Sequence, residues 1–274
     1  MRTQTAGMSM RYLVLTVMTL MVLLPFASIV LAALHASGST VSGMRLPENW
    51  HWENFALAWN EGGYSALMRS SFIISGAVVP LVVLCATLAG YALAILKAWG
   101  GRQVGIIFVL GLTLPVELIV IALYYNLSNV GLTNNYLGVI FAEVALFLPF
   151  GVYWMQSHFS SLPGELVEAG RIDGARDLSV LTRVLLPISW PAITTLAVLV
   201  FMWSWNQFLL VIVLMQDPEM RTAPGGLGFF VGQYSTNIPL LSAATIITIA
   251  PIVLVYIIFQ RNFVSGLTQG AVKG

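Results

Sequence analysis

The sequence is poor in charged residues. Only 8% of its 274 residues are Asp, Glu, Lys or Arg, while 58% are hydrophobic. A soluble domain carries roughly 25% charged residues. A larger core does not explain the deficit, because a soluble chain of this length still exposes much of its surface to water. Water is therefore not the main solvent of this chain.

Other shortages exclude further classes of protein. The formal net charge is only +1 and no basic run is present, which argues against a nucleic-acid-binding protein. The single cysteine, Cys85, excludes an intramolecular disulfide and a cysteine-based zinc cluster. The histidines form no H-E-x-x-H motif and support no metal or catalytic role. They are His35, His51 and His158.

What the sequence has instead is long apolar runs. Six are long enough to cross a bilayer core of about 30 Å, which takes about 20 helical residues. They cover residues 12–34, 72–96, 104–125, 136–156, 192–215 and 240–259. Backbone groups in lipid need partners within the segment, and strand-like alternation is absent, so we predict helices. The expected fold is an all-α membrane protein with a single transmembrane domain over residues 1–274 and a retained first helix.

The Lys and Arg residues of the connecting segments are unevenly distributed. With a cytoplasmic N-terminus, nine lie inside and three outside, which predicts that both termini are cytoplasmic. The inside residues are Arg2, Arg11, Lys97, Arg102, Arg171, Arg176, Arg183, Arg261 and Lys273, and the outside ones are Arg45, Arg69 and Arg221. The two larger external segments, 35–71 and 216–239, suit either the docking of a partner or ordinary connecting loops.

Residues 157–191 form the longest predicted cytoplasmic segment, and their pattern predicts a short, bent, amphipathic helix. Pro163 and Glu165 suit a first helical turn, where a missing N–H costs nothing and a carboxylate complements the helix dipole. Apolar residues then recur at helical spacing, interrupted by the flexible points Gly170 and Gly174. The apolar residues are Leu166, Ala169, Ile172, Ala175 and Leu178.

This apolar face has too little nearby protein of its own chain to cover it, since the other cytoplasmic segments are a seven-residue loop and two tails. A helix lying on the membrane surface would carry a mainly basic polar face. Here the acidic residues Glu165, Glu168, Asp173 and Asp177 outnumber the basic residues Arg171, Arg176 and Arg183. A protein partner explains the segment better than the lipid surface does.

The same segment carries a spaced motif. It reads Glu168-Ala169-Gly170, three residues, Gly174, nine residues, then Val184-Leu185-Leu186-Pro187. This resembles the EAA loop of ABC importer permeases, with Gly170 in place of the second Ala and Val184 in place of Ile. The run EAGRIDGA, the sequence Ser204-Trp205-Asn206 and the tail from Gly266 to Gly274 are similar to the carbohydrate-importing branch. The resemblance covers essentially the whole chain and is nearest to the six-helix partner of a maltose-type permease pair.

The resemblance implies a set of partners. Two permease subunits form the pathway, two cytoplasmic ATPase subunits bind ATP and Mg, and an external binding protein delivers the sugar. The chain itself is expected to need no cofactor and to be no enzyme. Its only lysines, Lys97 and Lys273, are followed by Ala98 and Gly274, so neither completes the phosphate-binding G-x-x-x-x-G-K-[ST] loop.

The resemblance also implies which residues contact the ATPase. Glu168 would pair with a basic residue there, and Gly174 would allow close backbone approach. The alternative is a helical turn packed on the subunit's own helix ends. The implied coupling residues are Glu168, Ala169, Gly170, Ile172, Asp173, Gly174, Ala175 and Pro187.

Polar residues inside the apolar runs are candidates for the translocation pathway. Glu117 and Glu143 would each cost about 2.5–3.5 kcal/mol if ionised in lipid, so they should face protein or water. They either line the passage or bond to neighbouring helices. Asn206 and Gln207, flanked by Trp203 and Trp205, offer amides for sugar hydroxyls and indole platforms, although such residues also hold helices together.

Two prolines, Pro115 and Pro149, fall inside predicted spans and should bend them.

The sequence as a whole, through this resemblance, predicts a permease subunit of an ATP-driven sugar importer. The alternative function is a stand-alone proton-coupled transporter that uses Glu117 and Glu143. That alternative would leave the patterned cytoplasmic helix unexplained.

Overall fold

The structure is a computed structural model that describes residues 2–41, 43–232 and 235–271, and the side chains of residues 10–41, 43–232 and 235–261. Lys273 and the end of the predicted tail motif lie outside the described residues. The first six helices are α1 (Arg2–Ala33), α2 (Glu53–Glu61), α3 (Tyr64–Ala94), α4 (Gly101–Gly111), α5 (Val116–Asn129) and α6 (Tyr136–Ser161). They are followed by α7 (Gly164–Ile172), α8 (Asp177–Ser179), a π-helical turn (Val180–Leu185), α9 (Leu186–Ile188), α10 (Trp190–Trp205), α11 (Leu209–Leu214), α12 (Ala223–Gly226) and α13 (Ile238–Ala271).

The chain divides into two compact units. The first comprises residues 1–65 and 226–250. In it, buried Asn54 on α2 donates hydrogen bonds to the carbonyls of Ala33 and His35, at 2.8 and 2.7 Å. These bonds satisfy carbonyls that the end of α1 leaves without helical partners. Asn54 therefore fixes where α1 stops and the loop begins.

The second unit comprises residues 66–225 and 251–274 and holds the main hydrophobic core. Its centre is the packing of α3 against α6. A Cβ atom at Gly90 on α3 would lie 2.7 Å from Met155 Cβ and 2.8 Å from the backbone nitrogen of Gln156 on α6. A Cβ atom at Gly151 would lie 2.9 Å from Ala86 Cβ. Such small residues let membrane helices pack backbone to backbone.

Among the described residues, four helices are long and apolar enough to span a membrane: Met10–Ala33, Tyr64–Ala94, Tyr136–Ser161 and Ile238–Arg261. They correspond to the first, second, fourth and sixth predicted runs. The number rises to six if each of two bent helix pairs counts as one span, and these pairs are Gly101–Gly111 with Val116–Asn129 and Asp177–Ile188 with Trp190–Trp205. The all-helical fold is thus confirmed, while six complete spans remain a prediction.

The third and fifth predicted runs differ from continuous helices. α4 and α5 meet at 103° across residues 112–115, and Pro115 precedes α5 with an extended backbone. Proline also disfavours a helical conformation in the residue before it, which here is Leu114, so the helix does not continue through this point. The fifth run is divided between α10 and α11, which are separated by residues 206–208. By contrast, α6 continues through Pro149 without a break.

The α3–α6 contact yields a stability prediction. Gly90→Leu should destabilise the subunit by about 1–3 kcal/mol, because the added side chain overlaps backbone atoms of α6 that cannot move aside. Thermal unfolding of the purified chain in detergent measures the effect. Gly76→Leu on the same helix is the control, since a Cβ there has no neighbour within 4 Å. Equal melting temperatures for the two variants would contradict the packing argument.

Candidate functional site

The segment that carries the spaced motif is a short helix held to the core by one side. α7 begins after Pro163, and Glu165 lies in its first turn, as the sequence predicts. Val167 is its buried residue and belongs to the same core cluster as Val180, Leu181 and Leu185 of the π-helical turn. The helical spacing of apolar residues through Leu166 does not identify Val167 as the buried position of this helix.

The opposite side of the segment is uncovered. Ile172 is 85% exposed, Leu178 is 66% exposed, and Leu166 is also exposed. Glu168, Ala169 and Asp173 are exposed as well, while Ala175 is half-buried against the core. The predicted apolar face therefore exists, but its aliphatic side chains point away from the described core of this chain.

The end of α7 explains why position 174 is glycine. Gly174 has φ +79°, a left-handed conformation that costs a residue with a side chain roughly 1–2 kcal/mol. The N–H of Gly174 donates to the carbonyl of Arg171 and that of Ala175 to the carbonyl of Gly170, each at 3.0 Å. This is the Schellman arrangement that ends many helices. Close approach of a partner at Gly174 stays a prediction.

Further contacts fix the turn after α7. Arg171 Nη2 lies 3.1 Å from Asp177 Oδ1, and the Tyr91 hydroxyl at the end of α3 donates to the Asp177 carbonyl at 2.9 Å. Beyond it, His158 Nε2 of α6 lies 2.9 Å from Ser189 Oγ. The segment is thus joined to the ends of both α3 and α6.

Pro187 lies just after the π-helical turn. The N–H of Leu186 bonds to the carbonyl of Leu181, five residues earlier, instead of to the usual partner four residues earlier. Pro187 has no N–H to donate, so the helix cannot keep its regular pattern through this point. Pro187 is exposed and shapes the path of the chain into α10.

A second feature is a cavity of about 480 Å³ beside the break between α10 and α11. Its polar lining comes from Asn206 and Gln207, which follow the last turn of α10. Trp203 supplies an aromatic wall and contacts Phe150 edge to face at 4.8 Å between ring centres. The other lining residues are Leu146, Phe147, Leu199 and Met202.

The two tryptophans near the break have different surroundings. Trp205 is only 1% exposed and packs against Phe72 and Phe201, so it belongs to the core and does not line the cavity. Trp203 is 37% exposed and faces the cavity. Of the two tryptophans that the sequence singled out, Trp203 lines the cavity and Trp205 does not. Residues two apart on a helix lie on different sides of it. The sequence around both tryptophans is apolar, so it does not indicate which of the two sides faces the core.

The two predicted intramembrane acids are not equivalent. Glu143 on α6 is fully buried and accepts a hydrogen bond from Ser204 Oγ on α10, while its second oxygen has no partner among the described residues. Glu117 is exposed in the first turn of α5, where a carboxylate complements the helix dipole. Within the described residues, no group of three or more His, Cys, Asp or Glu side chains could hold a metal ion.

Several apolar helices, a polar cavity at a helix break and an exposed motif between two helices define a subunit of a membrane transporter. The family of binding-protein-dependent transport system inner membrane components matches residues 62–269. The chain belongs to this family. Its members are translocation subunits, and in general they work with a second permease, an ATPase and a solute-binding protein. The motif around Glu168 is typical of the family.

Relatives with known names support the carbohydrate branch. The diacetylchitobiose uptake system permease NgcG of Streptomyces coelicolor is 32% identical over 93% of this chain and 85% of its own length. The arabinooligosaccharide permease AraQ of Halalkalibacterium halodurans is 32% identical over 91% of both chains. The trehalose/maltose permease MalG of Thermococcus litoralis is 36% identical over 77% of this chain and 76% of its own length.

A solved structure has the same fold. A chain of a bacterial ABC transporter involved in the import of the acidic polysaccharide alginate superposes with a TM-score of 0.81 and 20% identity, over 96% of this chain and 98% of that one. The family match and the relatives confirm the predicted membership of the sugar ABC permeases, and they disfavour the alternative of a stand-alone secondary transporter.

The two glycines of α7 should respond oppositely to alanine. Gly170→Ala should stabilise the helix by up to about 1 kcal/mol, because its Cβ would make ordinary contact with Val180 at 3.4 Å and alanine favours helices. Gly174→Ala should destabilise it by about 1 kcal/mol, since φ is +79°. Hydrogen exchange of the amides in residues 164–172 measures both. Equal protection in the two variants would refute the assigned cap.

Proposed function

We propose that this chain is a permease subunit that imports an oligosaccharide across the cytoplasmic membrane and is driven by ATPase subunits docked on residues 163–187. The observation that carries the proposal is the exposed motif helix. Ile172 and Leu178 face away from the core on a segment whose other side is anchored by Val167. Water-exposed aliphatic residues on a fixed helix favour a protein contact at that face.

The proposed complex contains a second permease subunit, two ATPase subunits and an external solute-binding protein. The ATPases bind ATP and Mg, and this chain has no catalytic site or cofactor. It crosses the membrane six times, once at each of the six predicted apolar runs, and has both termini in the cytoplasm. Residues 163–187 then lie on the cytoplasmic side, and α2 lies on the external side, where the binding protein docks.

The proposed mechanism is conformational. ATP binding draws the two ATPases together and displaces α7 with them. Tyr91 and His158 join this segment to the ends of α3 and α6, so a push on α7 is transmitted to the helices that line the passage. Coupling needs ATPase contacts that differ between the two states of the pore, because only differential affinity shifts a conformational equilibrium. ATP hydrolysis and product release reset the pore.

The proposed contact with sugar is the cavity beside the α10–α11 break. Asn206 uses Nδ2 to cap the carbonyl of Met202 at 2.8 Å, which leaves its amide oxygen without a partner among the described residues. Amide groups can accept and donate hydrogen bonds to hydroxyls, and Trp203 offers an apolar ring face. Interrupted helices are where membrane transporters commonly bind their substrates. The oligosaccharides carried by the named relatives set the proposed substrate class.

Glu143 is proposed to act beneath this cavity. It precedes Phe147 by one helical turn, and its partner Ser204 lies between Trp203 and the break. The hydrogen bond joins α6 to the end of α10 and so holds the two walls of the cavity together. Glu117 is assigned to the surface of the passage at the α4–α5 bend, because its side chain is exposed there.

Charge reversal in the motif tests the coupling. Glu168→Lys should abolish transport-linked ATPase stimulation in the reconstituted complex without preventing membrane insertion, because Glu168 is exposed and contributes nothing to the core. ATP hydrolysis with and without sugar-loaded binding protein is the measurement. Glu219→Lys makes the same charge reversal at an exposed site outside residues 163–187 and should retain stimulation. Full stimulation in the Glu168 variant would disprove the assigned contact.

Removal of the indole tests the cavity. Trp203→Ala should raise the sugar concentration needed for half-maximal transport roughly three- to tenfold, since an aromatic contact contributes about 0.5–1.5 kcal/mol. Uptake of labelled sugar by proteoliposomes is the measurement. Trp190→Ala removes an equally large, exposed side chain from the other end of α10 and should leave that concentration unchanged. An unchanged value for Trp203→Ala would move the sugar site to the partner permease.

A further inference from the structure

A groove between α4 and α6 is separate from both the motif segment and the pathway cavity. Its volume is about 510 Å³. Gly101 and Gly105 on α4 leave room for it, and a Cβ at Gly105 would meet only Gln156 Oε1, at 3.9 Å. The groove runs along α4 from its first turn, just before the predicted span 104–125, toward Leu110.

One end of the groove is polar. Arg102, Gln156, Ser157 and Ser160 line it, and they lie in the first turn of α4 and the last turns of α6. Arg102 is exposed and forms no ion pair or hydrogen bond with a described residue. The polar end therefore offers an unpaired cation, an amide and hydroxyl groups at the boundary between water and lipid.

The rest of the groove is apolar. Its walls are formed by Ile106, Val109, Leu110 and Tyr153. Ile106 is 50% exposed and Tyr153 is 51% exposed, so these walls are open to the surroundings. Leu110 follows Arg102 by eight residues, which corresponds to about 12 Å along a helix. A ligand that fits must carry an acidic or polar head and an apolar chain in the same order.

The turn that precedes the groove supplies two further features. Trp99, between α3 and α4, is fully exposed. Tryptophan is enriched at the boundary of a membrane, where one part of its ring system is apolar and the other is wet. Lys97 is also exposed and adds a second cation close in sequence to Arg102. These residues place the polar end at the depth of lipid headgroups.

We propose that the groove binds one anionic phospholipid, with its phosphate at Arg102 and an acyl chain along Ile106 and Leu110. Basic pockets between membrane helices are known to take anionic headgroups. To fill the groove, a helix of another protein would need an acidic residue at Arg102 and an apolar face along Ile106 and Leu110. Every anionic phospholipid already has an acidic head followed by apolar chains. The site is independent of the sugar pathway and of the ATPase contact.

Native mass spectrometry of the tagged full-length chain, purified with its co-purifying subunits, tests the proposal. Detergent is supplemented with phosphatidylglycerol or phosphatidylcholine of the same acyl chains. Wild type should retain one phosphatidylglycerol per chain. Arg102→Gln should weaken phosphatidylglycerol binding about fivefold and leave phosphatidylcholine binding unchanged, since only the charge is lost. Gly105→Leu should weaken both lipids, because its side chain fills the groove.

Arg69→Gln is the matched control. It removes an exposed arginine from a different helix, α3, and should leave both lipids bound as in wild type. Equal loss of phosphatidylglycerol in the Arg69 and Arg102 variants would overturn the proposal, as would full retention in Gly105→Leu. A photocrosslinker at position 106 should capture lipid in native membranes. Capture of another protein subunit instead would assign the groove to a protein interface and refute lipid binding.

Discussion

The close packing of α3 on α6 is the constraint on which the rest of the second unit depends. At Gly90 and Gly151 the two backbones approach so closely that no Cβ atom fits. Hydrophobic burial contributes little to helix association in lipid, so such close packing must hold the helices together. This packing holds α6 in a fixed position against α3. α6 presents Phe147 to the cavity beside the α10–α11 break and leads directly into α7.

The motif segment follows α6 directly, and residues of α6 line the cavity, so the positions of both regions depend on this one helix. Ser204 joins α10 to Glu143 of α6, and Ser189 joins the start of α10 to His158 of the same helix. The two hydrogen bonds lie near opposite ends of α10. These contacts connect the motif segment to the walls of the cavity through packed helices and polar groups, which supports the proposed coupling between the two regions.

Much of this architecture could be predicted from the sequence, because lipid permits few backbone arrangements and apolar length reports them directly. The spaced motif identified α7 as well. Other details depend on three-dimensional packing. Pro115 predicted a bend in the third run but not its angle of 103°, and no sequence signal predicted the interruption at residues 206–208. Trp203 and Trp205 have identical side chains, and only the direction of each around α10 decides which faces the cavity.

The bare aliphatic side chains of α7 also bear on the biogenesis of the protein. Ile172 and Leu178 are exposed on a segment whose shape is already fixed by the left-handed Gly174 and the Arg171–Asp177 pair. A newly inserted copy cannot hide them by refolding that segment. Until the subunit assembles, each copy exposes an aliphatic patch of the kind that chaperones and proteases recognise. If the proposed ATPase contact covers Ile172 and Leu178, then synthesis of this subunit in step with its partners limits the time for which these side chains stay exposed.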